Sequence, residues 1–221
     1  TIAVETAATI ESEETFDGPE NSDLQFEIVV HPSTGYAVYD ALIEKCIWAT
    51  LHTAPDDFDL FEKEQISDVL RYGDSDSSFS FIRMDLDDDG DNELLIYQKQ
   101  IDDSPVYAAY SIENGQLVWL LKGGERNRYY ICSDGKIGNE GSSGAMYSTI
   151  ATYCYSGGVL SLNECYFTDD IRENGNHWFY SQIGTYSPDA KPISEEEFNS
   201  AVANIRKNYL SLDGMSLNTY M

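Results

Sequence analysis

The stretch Asp85-Leu86-Asp87-Asp88-Asp89-Gly90-Asp91-Asn92-Glu93 lies between two runs with the composition of β-strands, Ser78–Met84 and Leu94–Gln100. Counted from Asp85, oxygen-bearing side chains occupy positions one, three, five, seven and nine, and glycine occupies position six. Glycine has no Cβ and accepts a positive φ without strain, so Gly90 predicts a sharp turn. The stretch therefore predicts a strand–loop–strand unit around which the β-rich part of the chain is organised.

The spacing of these acids is that of a calcium loop, in which alternate side chains point inward at one centre. Ca²⁺ takes six to eight oxygen ligands at roughly 2.3–2.6 Å, which a short acidic loop can supply. We expect Asp85, Asp87, Asp89 and Glu93 to ligate Ca²⁺ through carboxylates, and Asp91 through its backbone carbonyl. The alternative is an acidic, solvated turn without a metal, in which the carboxylates repel one another.

The loop departs from an EF-hand in two respects. Position twelve, where an EF-hand places a bidentate glutamate, is Ile96, and the flanking residues favour strands over helices. The loop therefore resembles the shorter calcium sites of integrin-type repeats, in which the acid at position nine completes the shell. Such loops recur once per blade in propellers, and this chain has a single copy, so a propeller is not expected.

The rest of the pattern predicts an α+β fold: an antiparallel meander of about seven to nine strands with helices at both ends. Turn residues such as Asn114-Gly115 and Gly157-Gly158 separate the short strands. The expected helices run from Ser33 or Thr34 to Leu51, over Leu60–Tyr72, and onward from a capping box at Ser194–Glu197. We also expect a flexible loop at Gly138–Gly144 and a hairpin joining Asp169–Glu173 to His177–Ile183.

Composition bounds the class of protein. The chain has 221 residues, with 39 acids against 13 bases, and its net charge is −26. Nucleic acid is excluded as an expected partner because phosphate binding requires a basic surface. No run of 18 apolar residues is present, so no transmembrane segment is expected. Residues 1–23 are expected to form a disordered acidic spacer, and residues 24–215 a single calcium-binding domain.

Residues of catalytic type are present but stand in no motif. The three histidines, His31, His52 and His177, have no catalytic neighbours in sequence, and Ser142-Ser143 lacks the register of a nucleophile elbow. No catalytic residue is assigned, and enzymatic activity stays open. The four cysteines show no zinc spacing; we expect mostly free, buried thiols, with two disulfides as the alternative. Many aromatic residues lie on the expected strands, where outward-facing rings can bind sugars or peptides.

Four segments together carry a resemblance to a known group of proteins: the Thr/Glu-rich N-terminal spacer, residues 81–96, residues 110–117 and residues 193–198. They resemble secreted proteins and lipoproteins of anaerobic Gram-positive bacteria that carry one integrin-like or dockerin-like calcium loop in a β-rich domain. The resemblance implies a secreted or cell-surface location, with a lipid anchor left open, and no known activity. We expect a non-enzymatic module with an extracellular glycan or protein as its ligand; the alternative is an extracellular hydrolase of glycans or peptides with a structural calcium.

Overall fold

The computed structural model describes residues 36–51, 65–72, 79–144, 147–170, 175–185 and 187–217. The described residues form an α+β domain, as the sequence predicts, with one antiparallel sheet and a helix towards each end of the chain. The described part of the chain contains eleven strands, several of them very short, against the seven to nine expected. Among these residues, no helix is long and apolar enough to cross a membrane. The spacer expected at residues 1–23 and the cap at Ser33 or Thr34 lie outside the described residues.

The described helices are α1 (Ala37–Leu51) and α2 (Glu195–Arg206), with a 3-10 turn at Asp68–Tyr72. The strands are β1 (Phe79–Met84), β2 (Glu93–Gln98), β3 (Val106–Glu113), β4 (Gln116–Lys122), β5 (Asn127–Ile131), β6 (Ile137–Ser142), β7 (Ser148–Ser156), β8 (Val159–Thr168), β9 (Trp178–Ser181), β10 (Lys191–Pro192) and β11 (Met215–Ser216).

The sheet follows the chain as a meander with one branch. Its order is β10-β9-β8-β7-β6-β5-β3-β2-β1-β11, and β4 pairs with β3 beside this path. Strand β3 pairs with β2 along one edge, while β4 and then β5 share its other edge.

Both helices lie on the same face of the sheet. Val106 on β3 is paired with Tyr129 on β5, so their neighbours Tyr107 and Tyr130 share the opposite face. Helix α1 packs in the core cluster that contains Tyr107, and the residues that follow α2 place a tyrosine ring on Tyr130. The core on this face includes these buried residues: Tyr39, Ile43, Cys46, Phe79, Phe81, Leu94, Ile96 and Tyr110.

The opposite face curls on itself. Leu95 and Tyr97 of β2 share a core cluster with Tyr155 of β7, although β2 and β7 are not neighbours in the sheet. Strand β2 is therefore buried on both faces, which explains the unbroken apolar run from Leu94 to Tyr97. The curl brings the turn between β7 and β8 close to the loop between β1 and β2.

The chain after α2 crosses the molecule to the far edge of the sheet. Leu210 N donates to Ile131 O at 2.9 Å, and Gly214 N donates to the Tyr97 hydroxyl at 2.6 Å. Strand β11 then pairs with β1 in antiparallel fashion. Gly214 is required there because a Cβ would lie 2.0 Å from Phe81 O.

Three local predictions are wrong. A continuous helix over Leu60–Tyr72 is excluded, because Gln65 has a φ of 57°. Within the described part of this range, residues 65–72, the helical residues are Asp68–Tyr72, as a 3-10 turn. Tyr110 Oη donates to Gln65 O at 2.6 Å, which holds this backbone in its turn. The expected loop at Gly138–Gly144 is strand β6 as far as Ser142, since both β5 and β7 pair with it.

The third error concerns the last expected hairpin. Asp169 and Asp170 are not in a strand, because β8 continues to Thr168 and pairs directly with β9, Thr168 opposite Trp178. Residues 171–174 lie outside the described residues. By contrast, the turn at Asn114-Gly115 is confirmed, with φ values of 52° and 77°, and so is the capping box of α2. All four cysteines are free; Cys46, Cys132 and Cys165 are buried, while Cys154 is exposed.

Candidate metal centre

The acidic loop, residues 85–92, connects β1 to β2 at one end of the sheet. The two strands pair from Phe79 with Gln98 up to Met84 with Glu93, so Glu93 already lies at the start of β2. Two residues of the loop have left-handed backbone, Asp88 with a φ of 60° and Gly90 with a φ of 95°. The turn expected at Gly90 is therefore confirmed, and it folds the loop back on its own side chains.

Three of the expected ligands come together. Carboxylate oxygens of Asp85, Asp87 and Asp89 all lie within 4.8 Å of one another, so these residues could hold a metal ion. The loop backbone holds two of them in place. Asp85 accepts hydrogen bonds from Asp89 N at 3.2 Å and Gly90 N at 3.0 Å, and Asp89 accepts one from Asp91 N at 2.8 Å. These local bonds orient the carboxylates without help from the rest of the domain.

Asp87 is held from far along the chain. Its Oδ2 accepts a hydrogen bond of 2.8 Å from the backbone N–H of Gly157, in the turn between β7 and β8. Its Oδ1 is buried and has no hydrogen-bond partner among the described residues. A buried carboxylate oxygen without a donor is costly, and a cation bound to it removes that cost.

The side chains of the other two expected ligands lie outside the three-carboxylate group. Asp91 is exposed, and its backbone N–H donates to Asp89. Glu93 is 2% exposed, and its Oε2 accepts a hydrogen bond of 2.9 Å from Leu86 N. Burial raises the pKa of Glu93 to about 7; the backbone hydrogen bonds oppose the rise, and the Asp87 and Asp89 carboxylates add to it. The carboxylates of the loop thus carry more negative charge than its backbone hydrogen bonds compensate.

Two tyrosines connect this loop to the rest of the domain. The hydroxyl of Tyr39, on α1, lies 3.0 Å from Asn92 O and 3.1 Å from Tyr110 O, and can donate to either carbonyl. Burial raises the pKa of Tyr155 to about 12, and the negative charge of Glu93 adds to this rise. Sequence spacing identified the three clustered carboxylates but gave no signal for Tyr39, Tyr155 or Gly157, because each comes from a distant segment.

The residues of catalytic type are placed apart from this loop. His177 Nδ1 contacts Asp170 Oδ1, and its ring packs against Trp178 with centroids 4.8 Å apart. Ser142 ends strand β6 and donates from Oγ to Gly144 O at 3.2 Å. His31 and His52 lie outside the described residues. Comparison of the chain with protein-family models, curated proteins and solved structures gives no match.

Proposed function

We propose that this chain is a secreted or cell-surface calcium-binding module with a binding or structural role and no catalytic one. The proposal rests on one observation: Asp87 Oδ1 is buried with no donor in the described part of the chain, and Asp87 belongs to the same carboxylate group as Asp85 and Asp89. A solvated acidic turn would leave all its carboxylate oxygens to water. A bound cation would supply both the missing partner and the missing positive charge.

Calcium is favoured over magnesium by the chemistry of the donors. Every candidate ligand is oxygen, and the ligand spacing follows that of calcium loops. Mg²⁺ demands near-ideal octahedral geometry at about 2.0–2.1 Å and retains several waters, so it gains less from a flexible loop of many carboxylates. The ligands proposed from the chain are the carboxylates of Asp85, Asp87, Asp89 and Glu93, with the backbone carbonyl of Asp91.

The mechanism is thermodynamic linkage. An ion that binds the folded loop and not the unfolded chain stabilises the fold by RT ln(1 + [Ca²⁺]/Kd), about 1–3 kcal/mol at a moderate excess of calcium. Since Asp87 also accepts from Gly157, stabilisation of the loop would extend to the turn between β7 and β8. Loops with weak calcium affinity are useful outside cells, where calcium is abundant, and this consideration supports the proposed location.

The test is a thermal melt of the protein in EDTA, in Ca²⁺ and in Mg²⁺. We expect calcium to raise Tm by several degrees and magnesium to do much less, since about 1 kcal/mol corresponds to roughly 2–4 °C for a domain of this size. Asp87→Asn should abolish the calcium effect while it retains an oxygen that accepts from Gly157. Asp88→Asn is the matched control, because Asp88 is exposed in the same loop and lies outside the three-carboxylate group. Equal melts in EDTA and Ca²⁺ would reject the proposal.

A further inference from the structure

A second feature lies away from the acidic loop, in a groove between α2 and the strands β5, β6 and β7. Its volume is about 480 Å³, within the range of small-molecule sites. Residues of α2 form one wall, Arg128 and Glu140 lie on the strands, and Glu125 and Arg126 lie in the turn before β5. We call this cavity the arginine groove, after Arg126, Arg128 and Arg206.

The arginine groove is unusual for this protein because of its charge. The chain has only six arginines, and three of them line this one cavity, with Glu125 and Glu140 as its acidic residues. Two other cavities beside α2 have the opposite balance. One contains Asp134, Lys136 and Glu164, and the other contains Glu196 and Glu197. In a chain with a net charge of −26, an anion is repelled by most of the surface and is accepted best where positive charge is concentrated.

One arginine is committed to the fold. Arg206 forms a bidentate ion pair with Glu140, with Nε to Oε1 at 2.7 Å and Nη2 to Oε2 at 2.9 Å. The Tyr209 hydroxyl lies 3.1 Å from the same Oε1, and the Tyr209 ring stacks on Tyr130 with centroids 4.1 Å apart. These contacts make a rigid wall and neutralise both Glu140 and Arg206.

The other two arginines are exposed. Arg128 donates from Nε to Glu125 O at 3.3 Å. It also forms a side-chain hydrogen bond with Tyr130, and its charge acts on the Asp103 carboxylate, so Arg126 is the less compensated of the two. Arg126 is exposed, and its guanidinium has no hydrogen-bond or ion-pair partner among the described residues. Two guanidinium groups in one groove can bind a carboxylate with charge-assisted hydrogen bonds.

The remaining lining indicates what carries that carboxylate. The lining has more hydroxyl and amide side chains than apolar ones. This composition suits a hydroxylated ligand with a small apolar face. They are Ser142, Ser148, Thr149 and Asn199, with Ile150, Phe198 and Val202 as the apolar surface. We propose that the arginine groove binds an acidic sugar of the hexuronic acid class, with its carboxylate at Arg126 and Arg128 and its ring against Phe198. This inference does not depend on calcium binding by the acidic loop.

The test uses glucuronate as the probe, followed by ¹H–¹⁵N NMR spectra of the whole chain in EDTA and again in Ca²⁺. We expect saturable shifts of the amides of Gly141, Ser142 and Thr149 with glucuronate, and binding weaker by about tenfold or more with glucose, which lacks the carboxylate. Arg126→Gln should weaken glucuronate binding by a similar factor, and folding should be retained because this side chain has no partner among the described residues. Lys207→Gln removes the same charge next to α2 but outside the groove, and should leave binding unchanged.

Three results would overturn the assignment. The first is the absence of saturable shifts in the groove. The second is binding that requires Ca²⁺ and survives Arg126→Gln, which would place the sugar at a metal ion. The third is propionate binding as tightly as glucuronate, which would show that hydroxyl recognition has no part in the site.

Discussion

The backbone N–H of Gly157 donates to Asp87 Oδ2 at 2.8 Å, across 70 residues of sequence. This bond joins the acidic loop to the turn between β7 and β8, which lie far apart in the order of the meander. It exists because the sheet curls and brings Tyr155 into the same core cluster as Leu95 and Tyr97. One oxygen of Asp87 therefore takes part in this long-range contact, and the other is buried without a donor among the described residues and could bind a cation.

Hydrogen exchange at Gly157 should report on calcium. Binding at Asp87 orders the acceptor of this amide, so we expect Ca²⁺ to slow the exchange of Gly157 by about tenfold. Asp87→Asn should keep basal protection and lose the calcium effect, whereas Asp87→Ala should lose both. Asp88→Asn serves as the control. Identical exchange at Gly157 with and without calcium would contradict the coupling.

The metal-free protein should lose stability as pH rises through the range in which Glu93 ionises. Its pKa is raised from an ordinary value of 4.5 to about 7 in the folded protein, so the folded state holds this proton more tightly than the unfolded chain does. The stabilising contribution is therefore complete below pH 4.5 and is lost as pH rises through about 7, with a size of about 3 kcal/mol.

The measurement is urea denaturation in EDTA between pH 4.5 and 8, for the wild type and for Glu93→Gln. The amide oxygen of glutamine can still accept from Leu86 N, and the variant does not ionise, so its stability should exceed that of the wild type increasingly as pH rises. Ca²⁺ should reduce the loss of wild-type stability as pH rises, because a cation favours the ionised carboxylate. Parallel curves for the two proteins would refute this assignment of the pKa.

Part of the acidic loop was predictable because its geometry is local. Asp85, Asp87 and Asp89 alternate along a tight loop, and Asp85 and Asp89 are oriented by backbone amides within five residues. The supporting contacts from Tyr39 and Gly157 depend on how α1 packs and how far the sheet curls. Those quantities follow from the summed packing of the core, and no short stretch of sequence encodes them.

Strand β6 illustrates how a glycine-rich composition can mislead. Gly138 and Gly141 indicate a flexible loop, yet Gly138 is glycine because the Tyr209 ring occupies the space beside it. A Cβ at Gly138 would lie 2.6 Å from Tyr209 Cε1. Tyr209, the residue that requires glycine at position 138, is thus 71 positions away in the chain. The wrong prediction of a helix through Gln65 has a similar cause, because Tyr110, also distant in sequence, holds the Gln65 backbone in a turn.

Gly138→Ala should consequently destabilise the domain, by about 1–3 kcal/mol, because the new methyl group displaces a ring that is stacked on Tyr130. Gly124→Ala is the matched control, since a Cβ at Gly124 would have no atom within 4 Å and the backbone there requires no left-handed φ. Urea denaturation in the presence of calcium measures both. Equal stabilities of the two variants would show that the Tyr209 ring can move aside without loss of stability.

Helix α2 should depend on its cap to an unusual degree, because Ile205 is its only buried residue. Ser194 Oγ accepts from Glu197 N at 3.2 Å, and Ser194 N donates to Glu197 Oε2 at 2.8 Å. Ser194→Ala removes the side-chain half of this capping box and should cost about 1 kcal/mol, whereas Ser200→Ala, at an exposed position within the same helix, should be neutral or slightly stabilising. Since α2 forms a wall of the arginine groove, loss of the cap should also increase hydrogen exchange along residues 195–199. If Ser194→Ala and Ser200→Ala unfold at the same urea concentration, packing against the sheet and not the cap holds this helix.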